Sequence, residues 1–273
     1  MPSNQTTSTR SQSLGVAIVT GASSGIGAAY AEQLAGRGYK PILVARRRDR
    51  LALLADKIMS SYGIESEIVA ADLTNKVDLA HLEEDIAKRD DISLLVNNAG
   101  SGAMGPTAEF DADRIERLIR LNVVALARLS HAVLAGFRAR GAGALINIGS
   151  IVSYGPSPIA ATYTATKAFV SNFTRSLQME YRDGEIAVQL VQPGPVKSEF
   201  FEASQVPSGI FPEASFMTPE QLVRAAMLGF DRGETVTTPS LADLSRWEQL
   251  EKARKEFLAG ATSGLVASRY LHS

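Results

Sequence analysis

The chain contains no cysteine, which excludes disulfide bonds, a thiolate nucleophile and a cysteine-ligated metal site. It has no uninterrupted apolar run near the ~20 residues that span a bilayer, so we expect no membrane partner. Neither sign of charge dominates, with 28 Lys+Arg against 29 Asp+Glu, so no global basic field recruits nucleic acid. The three histidines show no metal-binding pattern, and we expect no metal.

The rest of the composition is that of an ordinary globular protein, with 45% hydrophobic and 21% charged residues among 273. The first 13 residues are polar and lack the apolar core of a signal peptide. We expect residues 1–13 to form a disordered tail and residues 14–273 to form one domain. A cytoplasmic location follows as the default expectation.

Short apolar runs alternate with longer helical patterns from residue 14 onward. Six runs predict strands: VAIVT, PILVA, EIVAAD, SLLVN, ALINIG and AVQLVQ. Near-continuously apolar strands that alternate with helices are typical of a parallel sheet covered on both faces. The sequence therefore predicts an α/β fold with a doubly wound parallel sheet. In such sheets ligands bind at the carboxyl ends of the strands.

A glycine-rich turn, Gly21-Ala22-Ser23-Ser24-Gly25-Ile26-Gly27, follows the first predicted strand and opens a helix. Glycines allow a tight turn and a close approach to a ligand, and the helix start presents free N–H groups to phosphate. The spacing differs from the Gly-x-Gly-x-x-Gly of most dinucleotide folds. A plain strand-to-helix connection is the alternative, but the position after the first strand favours phosphate binding.

Arginines rather than a carboxylate follow the second strand, as Arg46-Arg47-Arg48. At this position an acidic residue binds the ribose 2′-hydroxyl of NAD, whereas arginine suits a 2′-phosphate. A solvated charge run that opens a helix is the alternative, and it is our interpretation of Arg48. For Arg46 or Arg47 we favour phosphate binding.

Tyr163 and Lys167 lie four residues apart in a predicted helix, so their side chains share one face. A neighbouring ammonium group lowers the pKa of a phenol from its usual value near ~10. Ser150 ends the run ALINIG thirteen residues before Tyr163, where its hydroxyl can reach the same substrate oxygen. Tyr-x-x-x-Lys is a short and common pattern, however, and by itself fits an ordinary amphipathic helix.

Asn122 falls on the apolar stripe of a long helix predicted from about Asp113 to Ala139. A buried amide needs hydrogen-bond partners, so a core asparagine bonded to local backbone is the alternative to a functional role. Two small polar segments complete the set: Asn97-Asn98-Ala99-Gly100 after the fourth strand, and a Pro-Gly-Pro turn at residues 193–198 after the sixth.

Taken in order along the chain, these motifs resemble the single-domain form of the short-chain dehydrogenase/reductase family. The resemblance covers roughly residues 14–198, and the ordered set is specific although each motif alone is weak. It implies a single-domain Rossmann-type fold and an NADP(H)-dependent carbonyl reductase or alcohol dehydrogenase. It also implies small-molecule carbonyl or alcohol substrates, and a homodimer or homotetramer formed through the helices that carry Asn122 and Tyr163.

The resemblance implies a role for each site residue. Tyr163 would donate or accept the proton, and Ser150 would bind the reacting oxygen. Lys167 would lower the pKa of Tyr163 and hold the nicotinamide ribose, and Asn122 would anchor a water in the proton relay. The implied cofactor-binding set is Gly21, Ser23, Ser24, Gly25, Ile26, Gly27, Arg46, Arg47, Asp72, Leu73, Asn98, Ala99, Gly100, Tyr163, Lys167, Pro193, Gly194, Val196 and Ser198.

The cofactor preference rests on the two arginines. Arg46-Arg47 resembles the NADP(H)-preferring members, many of which also carry a basic residue inside the glycine turn. Here Ser23 and Ser24 occupy those positions. We expect NADP(H) to be preferred over NAD(H).

Residues 194–217 are expected to form a lid over an apolar substrate. They hold four of the chain's ten phenylalanines, too many for a solvated loop. Packing against the helical C-terminal segment, residues 243–273, or against a partner subunit is the alternative. The expected substrate-binding residues are Ser150, Tyr154, Tyr163, Phe200 and Phe201.

Two other functions compete with this interpretation. A non-enzymatic nucleotide-binding regulator could share the fold, but it would not need Ser150, Tyr163 and Lys167 together. A sugar-nucleotide epimerase or dehydratase usually has a Gly-x-x-Gly-x-x-Gly turn and a larger C-terminal domain, and this sequence shows neither.

Overall fold

The computed structural model describes residues 14–184, 186–204 and 209–271. The predicted tail, residues 1–13, and residues 205–208 of the predicted lid lie outside the described residues. The chain divides into two compact units between residues 239 and 240, and each is described by itself. The expectation of one domain over residues 14–273 stays a prediction.

The first unit is built on a parallel sheet. Its strands are Val16–Thr20 (β1), Lys40–Ala45 (β2), Glu67–Ala70 (β3), Ile92–Asn97 (β4), Gly143–Ile148 (β5), Ile186–Val191 (β6) and Val236–Thr237 (β7). The strand order is β3-β2-β1-β4-β5-β6-β7, and each neighbouring pair is parallel. The predicted doubly wound α/β fold is confirmed. β7 was not predicted, because two residues are too few to show a periodic pattern.

Helices cover both faces of the sheet. In the first unit they are Gly25–Gly36 (α1), Arg48–Tyr62 (α2), Lys76–Ala87 (α3), Ala112–Ile119 (α4), Leu126–Arg140 (α5), Ala161–Glu180 (α6), Glu199–Ala203 (α7) and Pro219–Asp231 (α8). The second unit contains Ser245–Ala261 (α9) and a short turn at Ser268–Tyr270. The predicted helical character of the C-terminal segment therefore holds over α9.

Two hydrophobic cores explain why the strands are apolar on both faces. Along β1, Ala17 and Val19 belong to one core, together with α1, α2 and α8. Val16 and Ile18 belong to the other, together with α3 and α5. Successive side chains of a strand point to opposite faces, so a strand between two helical layers has no solvent-facing residues. Each fully buried aliphatic side chain contributes roughly 1.5–3 kcal/mol.

The long helix predicted from about Asp113 to Ala139 is interrupted by a π-helical turn at Arg120–Ala125, between α4 and α5. Such turns are rare and often occur at functional sites. This one contains Asn122. By length and composition alone the run Ala112–Arg140 is long and apolar enough to cross a membrane, as core helices of soluble proteins also can be. Here α5 packs into the second core through Leu129, Val133 and Phe137.

Gly27 allows α1 to begin directly against the turn that follows β1. A Cβ atom at Gly27 would lie 2.3 Å from the carbonyl oxygen of Gly21 and 2.6 Å from Nδ2 of Asn98. The first of these atoms is backbone and does not move without shifting the turn. Gly27 therefore acts by packing the turn, and Gly21, with φ of 68°, forms its left-handed corner.

Gly27→Ala should destabilise the protein by about 1–3 kcal/mol, because the added methyl group overlaps the backbone of the turn. Gly155→Ala is the matched control, since a Cβ atom there meets nothing within 4 Å. That control should stay within about 0.5 kcal/mol of the parent. Urea unfolding of the three proteins measures both effects. Equal stability of the two variants would contradict the packing role of Gly27.

Candidate active site

A cavity of about 390 Å³ lies at the carboxyl ends of the strands. It is lined by residues of the loops that follow β1 to β6, as expected for a sheet whose strand order reverses beside β1. The predicted residues on its wall are Gly21, Ser23, Ser24, Gly25, Ile26, Arg46, Arg47, Asp72, Leu73, Asn98, Ala99, Gly100, Ser150, Tyr163, Lys167, Pro193, Gly194, Val196, Ser198, Phe200 and Phe201. Gly27, Asn122 and Tyr154 are not among the lining residues.

Ser150, Tyr163 and Lys167 meet at one wall of this cavity. Ser150 follows β5, and a hydrogen bond joins its side chain to that of Tyr163 on α6. Lys167 lies one helical turn further on and is buried, and its Nζ donates to the carbonyl oxygen of Ile148 at 2.9 Å. This Nζ lies 6.0 Å from the centroid of the Tyr163 ring. The structure therefore brings together the three residues that the sequence selected.

Burial dominates the titration of both groups. It raises the pKa of Tyr163 to about 12, against the hydrogen bond with Ser150, which lowers it. Burial also lowers the pKa of Lys167 to about 8. Tyr163 is thus protonated at neutral pH and able to donate a proton. The expectation that Lys167 lowers the pKa of Tyr163 stays a prediction, since burial is the larger influence here.

Gln192 holds the backbone of Ser150 in place by a hydrogen bond. The sequence did not predict it as a site residue. It follows β6 and is fully buried. Its Oε1 accepts from the Ser150 N–H at 2.9 Å, and its Nε2 donates to the hydroxyls of Tyr154 at 2.9 Å and Ser171 at 3.2 Å. Tyr154 is thus bonded to Gln192 and does not line the cavity, and its role in substrate binding stays a prediction. A polar residue closing the apolar run AVQLVQ was the available signal for Gln192.

Asn122 ties the loop after β4 to α6. Its Oδ1 accepts from the Ser101 N–H at 2.9 Å, and its Nδ2 donates to the Ser101 carbonyl at 2.8 Å and the Thr166 hydroxyl at 3.1 Å. The side chain is 2% exposed. Asn122 is therefore a buried core residue, as the alternative expected, but the backbone that it binds lies 21 residues away and is not local. Its role in a proton relay stays a prediction.

Arg46 and Arg47 differ in their surroundings although both line the cavity. Arg46 is exposed, and no residue that the structure describes forms a hydrogen bond or ion pair with it. Arg47 donates from Nη2 to the hydroxyls of Ser23 and Ser24, each at 3.0 Å, and from Nη1 to Glu199 at 2.8 Å. Arg48 is the first residue of α2, as the alternative interpretation expected.

Glu199 and Arg50 were not predicted as site residues. Glu199 begins α7 and forms ion pairs with both Arg47 and Arg50. The two arginines lower the pKa of its carboxyl group. These partners lie about 150 residues apart in the chain, so no local pattern announces the pairing.

The predicted lid contains a cluster of phenylalanine rings. Phe201 is central, with ring centroids 5.1 Å from Phe216, 6.1 Å from Phe211 and 5.8 Å from Phe200. Phe200 also lies 5.6 Å from the ring of Tyr163. Phe200, Phe201 and Phe211 line the cavity. The rings thus face the cavity beside the tyrosine rather than solvent alone.

The cavity suits a nicotinamide dinucleotide. At one end the glycine turn meets the residues that follow β2, where Ser23 accepts from Arg47, and helix α1 begins there. Tyr163 and Lys167 lie at the other end, beside β5, which is three strands from β2 in the sheet. The Lys167 ammonium has three N–H donors, and the Ile148 carbonyl accepts from it. A buried cation with donors to spare, on the wall of a cavity, is suited to a ligand's hydroxyl groups.

The chain belongs to the short-chain dehydrogenase family, whose model matches residues 15–207. Among solved structures it is 40% identical to a short-chain dehydrogenase from Sphingobium yanoikuyae in complex with NADPH, with a TM-score of 0.90 over 94% of this chain and 100% of that one. It is 38% identical to a bulky-bulky ketone specific alcohol dehydrogenase from Comamonas testosteroni, with a TM-score of 0.86 over 95% and 99% of the chains.

The relatives include a protein named as a reductase and a protein named as inactive. The chain is 34% identical to the very-long-chain 3-oxoacyl-CoA reductase of Anas platyrhynchos, over 77% of this chain and 67% of that protein. It is 33% identical to the inactive hydroxysteroid dehydrogenase-like protein 1 of Homo sapiens, over 77% and 63%. The chain thus spans about two thirds of the length of these relatives.

Replacing Lys167 should change how stability depends on pH. Its pKa is about 8 in the folded protein, below the ordinary 10.5, so the unfolded chain binds this proton more tightly. The stability of the parent relative to Lys167→Met should therefore rise with pH, by roughly 2 kcal/mol between about pH 7.5 and 10. Tyr163, with its raised pKa, opposes this rise mainly above pH 10 in both proteins.

Urea unfolding of the parent and Lys167→Met at a series of pH values measures this difference. The comparison cancels the other lysines, which titrate alike in both proteins. A stability difference that does not change with pH would mean that Lys167 keeps its ordinary pKa in the folded protein.

Proposed function

We propose that this protein is an NADP(H)-dependent carbonyl reductase or alcohol dehydrogenase that acts on ketones or secondary alcohols with bulky apolar substituents. The observation that carries the proposal is the hydrogen-bonded pair of Ser150 and Tyr163 on the cavity wall, next to the ring of Phe200. The NADPH complex and the bulky-ketone specificity named for the two similar structures support it.

The chain's own residues supply the proton chemistry. When bound, the nicotinamide supplies the hydride that reduces the carbonyl carbon. Tyr163, protonated at neutral pH, donates its phenolic proton to the carbonyl oxygen, and Ser150 donates a hydrogen bond to the same oxygen. Lys167, with a pKa of about 8, remains mostly protonated at neutral pH and stabilises the phenolate left on Tyr163.

The residues that line this cavity would also hold the cofactor. The glycine turn and the start of α1 would bind its pyrophosphate, Lys167 its nicotinamide ribose, and Asp72 its adenine. Arg46 and Arg47 would bind the 2′-phosphate that distinguishes NADP(H) from NAD(H). No Asp or Glu stands among the three residues after β2, so none there would repel that phosphate.

The apolar preference rests on the phenylalanine cluster. Rings of Phe200, Phe201 and Phe211 line the cavity beside Tyr163 and provide a surface for a large apolar group. The 3-oxoacyl-CoA reductases among the relatives also reduce a carbonyl group, so the reaction class is shared even where the substrate differs.

A non-enzymatic nucleotide-binding protein is the second candidate, because one relative is named inactive. The hydrogen-bonded pair of Ser150 and Tyr163, with Lys167 one turn away, favours the enzyme. A protein that only senses a nucleotide has no need of a buried proton donor at its cavity.

A homodimer or homotetramer through α5 and α6 belongs to the same proposal. Phe169 and Met179 on α6 are exposed, and Phe169 stacks on Phe173 with ring centroids 5.5 Å apart. Apolar side chains of this size on one helix suit contact with another subunit. The cytoplasmic location stays an expectation.

A series of aryl ketones with a growing alkyl substituent tests the function. With NADPH, kcat/KM should rise about two- to fourfold for each methylene that reaches the phenylalanine cluster. Tyr163→Phe is the control and should keep cofactor binding while it loses nearly all turnover, because only the proton donor is removed. Small polar carbonyls as the best substrates, or turnover of Tyr163→Phe within tenfold of the parent, would contradict the proposal.

The two arginines should determine the cofactor preference. A charge-assisted hydrogen bond to phosphate contributes roughly 1.5–3 kcal/mol, so Arg46→Ala and Arg47→Ala should each weaken NADPH binding about tenfold or more and NADH binding far less. The NADPH preference of the parent should shrink as salt rises, because Arg46 is exposed and its interactions are screened. Dissociation constants at low and high salt measure this. Equal binding of NADH and NADPH by the parent would contradict phosphate binding by Arg46 and Arg47. It would favour the alternative of a solvated charge run that opens a helix.

A further inference from the structure

Glu199 places a carboxylate in the region proposed for the cofactor's 2′-phosphate. It lines the cavity together with Arg46 and Arg47. It forms an ion pair with Arg47 at 2.8 Å and a second with Arg50. Its lowered pKa, caused by these two arginines, keeps the carboxyl group ionised at neutral pH.

Arg47 already has a partner on each guanidinium nitrogen. Its Nε and Nη2 donate to the hydroxyl of Ser23, its Nη2 also to that of Ser24, and its Nη1 to Glu199. A phosphate that binds Arg47 therefore shares its guanidinium with these partners, and at Nη1 it lies next to Glu199. The serine hydroxyls are neutral and compatible with phosphate, whereas the carboxylate carries the same sign of charge and is repelled by it.

Arg46 contrasts with Arg47, since it lines the same end of the cavity without a hydrogen-bond or ion-pair partner in the described chain. A 2′-phosphate can therefore engage Arg46 without disturbing an existing contact. Engaging Nη1 of Arg47 brings the phosphate next to the carboxylate of Glu199, which already accepts from that nitrogen.

Glu199 lies on the same helix as Phe200. α7 runs from Glu199 to Ala203, and Phe200 packs beside Tyr163. Just after α7, the Ser204 hydroxyl accepts from the Gly102 N–H at 3.1 Å. The helix is therefore held on one side by arginines of the cofactor end and on the other by the loop after β4.

We propose that Glu199 is a specificity-determining residue that competes with the cofactor's 2′-phosphate for Arg47 and so limits the preference for NADPH over NADH. The proposal rests on the proposed binding of NADP(H). It assigns to the start of α7 an influence on the cofactor that the glycine turn and the residues after β2 do not reveal.

The test compares Glu199→Gln with the parent. Removing the charge should tighten the binding of NADPH and of its fragment 2′,5′-ADP about three- to tenfold. The binding of NADH and of 5′-ADP, which lack the 2′-phosphate, should change less than twofold. Glu202→Gln is the matched control, because it makes the same change on the same helix at an exposed residue without an ion-pair partner in the described chain. It should leave all four dissociation constants unchanged.

A second comparison tests whether the effect of Glu199→Gln on binding acts through Arg47. In an Arg47→Ala background, Glu199→Gln should no longer tighten the binding of 2′,5′-ADP, because the guanidinium for which the two anions compete is gone. Isothermal titration measures these constants without reference to turnover, and circular dichroism confirms that each variant is folded.

The outcomes separate this inference from the proposed function. If the parent binds NADPH and reduces ketones but Glu199→Gln leaves the affinity for 2′,5′-ADP unchanged or weaker, the competition is refuted and the function stands. The competition would also be refuted if Glu202→Gln tightened the binding of 2′,5′-ADP equally, or if Glu199→Gln tightened the binding of 5′-ADP equally. Either result would attribute the effect to the overall charge of the protein. If neither parent nor variant binds 2′,5′-ADP, both the inference and the NADP(H) assignment fail.

Discussion

The parallel pairing of β1 with β4 determines where this protein can carry out chemistry. The strand order reverses beside β1, so the loops that follow β1 and β4 leave a crevice between them. Hydrogen bonds hold those two loops together: the Thr20 hydroxyl accepts from the N–H groups of Asn98 and Ala99, each at 3.0 Å, and the Asn98 amide donates to the Thr20 carbonyl at 2.9 Å. The positions of the cavity and of the glycine turn depend on this junction.

Buried polar groups make the cavity wall around Ser150 and Tyr163 rigid. Gln192 makes hydrogen bonds through both its oxygen and its nitrogen behind Ser150, and Asn122 does the same between the loop after β4 and α6. A buried amide that lost one partner would be left with an unsatisfied group, so these contacts restrict the loops to one arrangement. The hydroxyl of Ser150 is thereby held beside Tyr163 before any substrate arrives.

The two ends of the cavity differ in their physical character. Around Tyr163 and Lys167 burial controls titration, because water is excluded and charge is disfavoured. Around Arg47 and Glu199 the charges are partly exposed, so salt screens their ion pair. The proposed proton transfer therefore lies at the buried end, and the proposed discrimination between charged cofactors lies at the exposed end.

The sequence by itself determined the features that depend on neighbouring residues. Apolar runs predicted β1 to β6, because a strand covered on both faces must be apolar throughout. The spacing of Tyr163 and Lys167 predicted a shared helix face, and the glycine turn predicted the start of α1. The order of these motifs along the chain was enough to recognise the family that the comparisons then confirmed.

Only the tertiary structure decided the features that depend on distant residues or on irregular backbone. The two-residue strand β7 and the π-helical turn at Asn122 have no periodic signature of their own. Tyr154 was expected to bind substrate, and the structure shows that its hydroxyl accepts from Gln192, 38 residues away in sequence. Glu199 meets its arginine partners across about 150 residues. Side-chain periodicity reports which face of an element is buried, but which side chains meet there depends on how the elements pack.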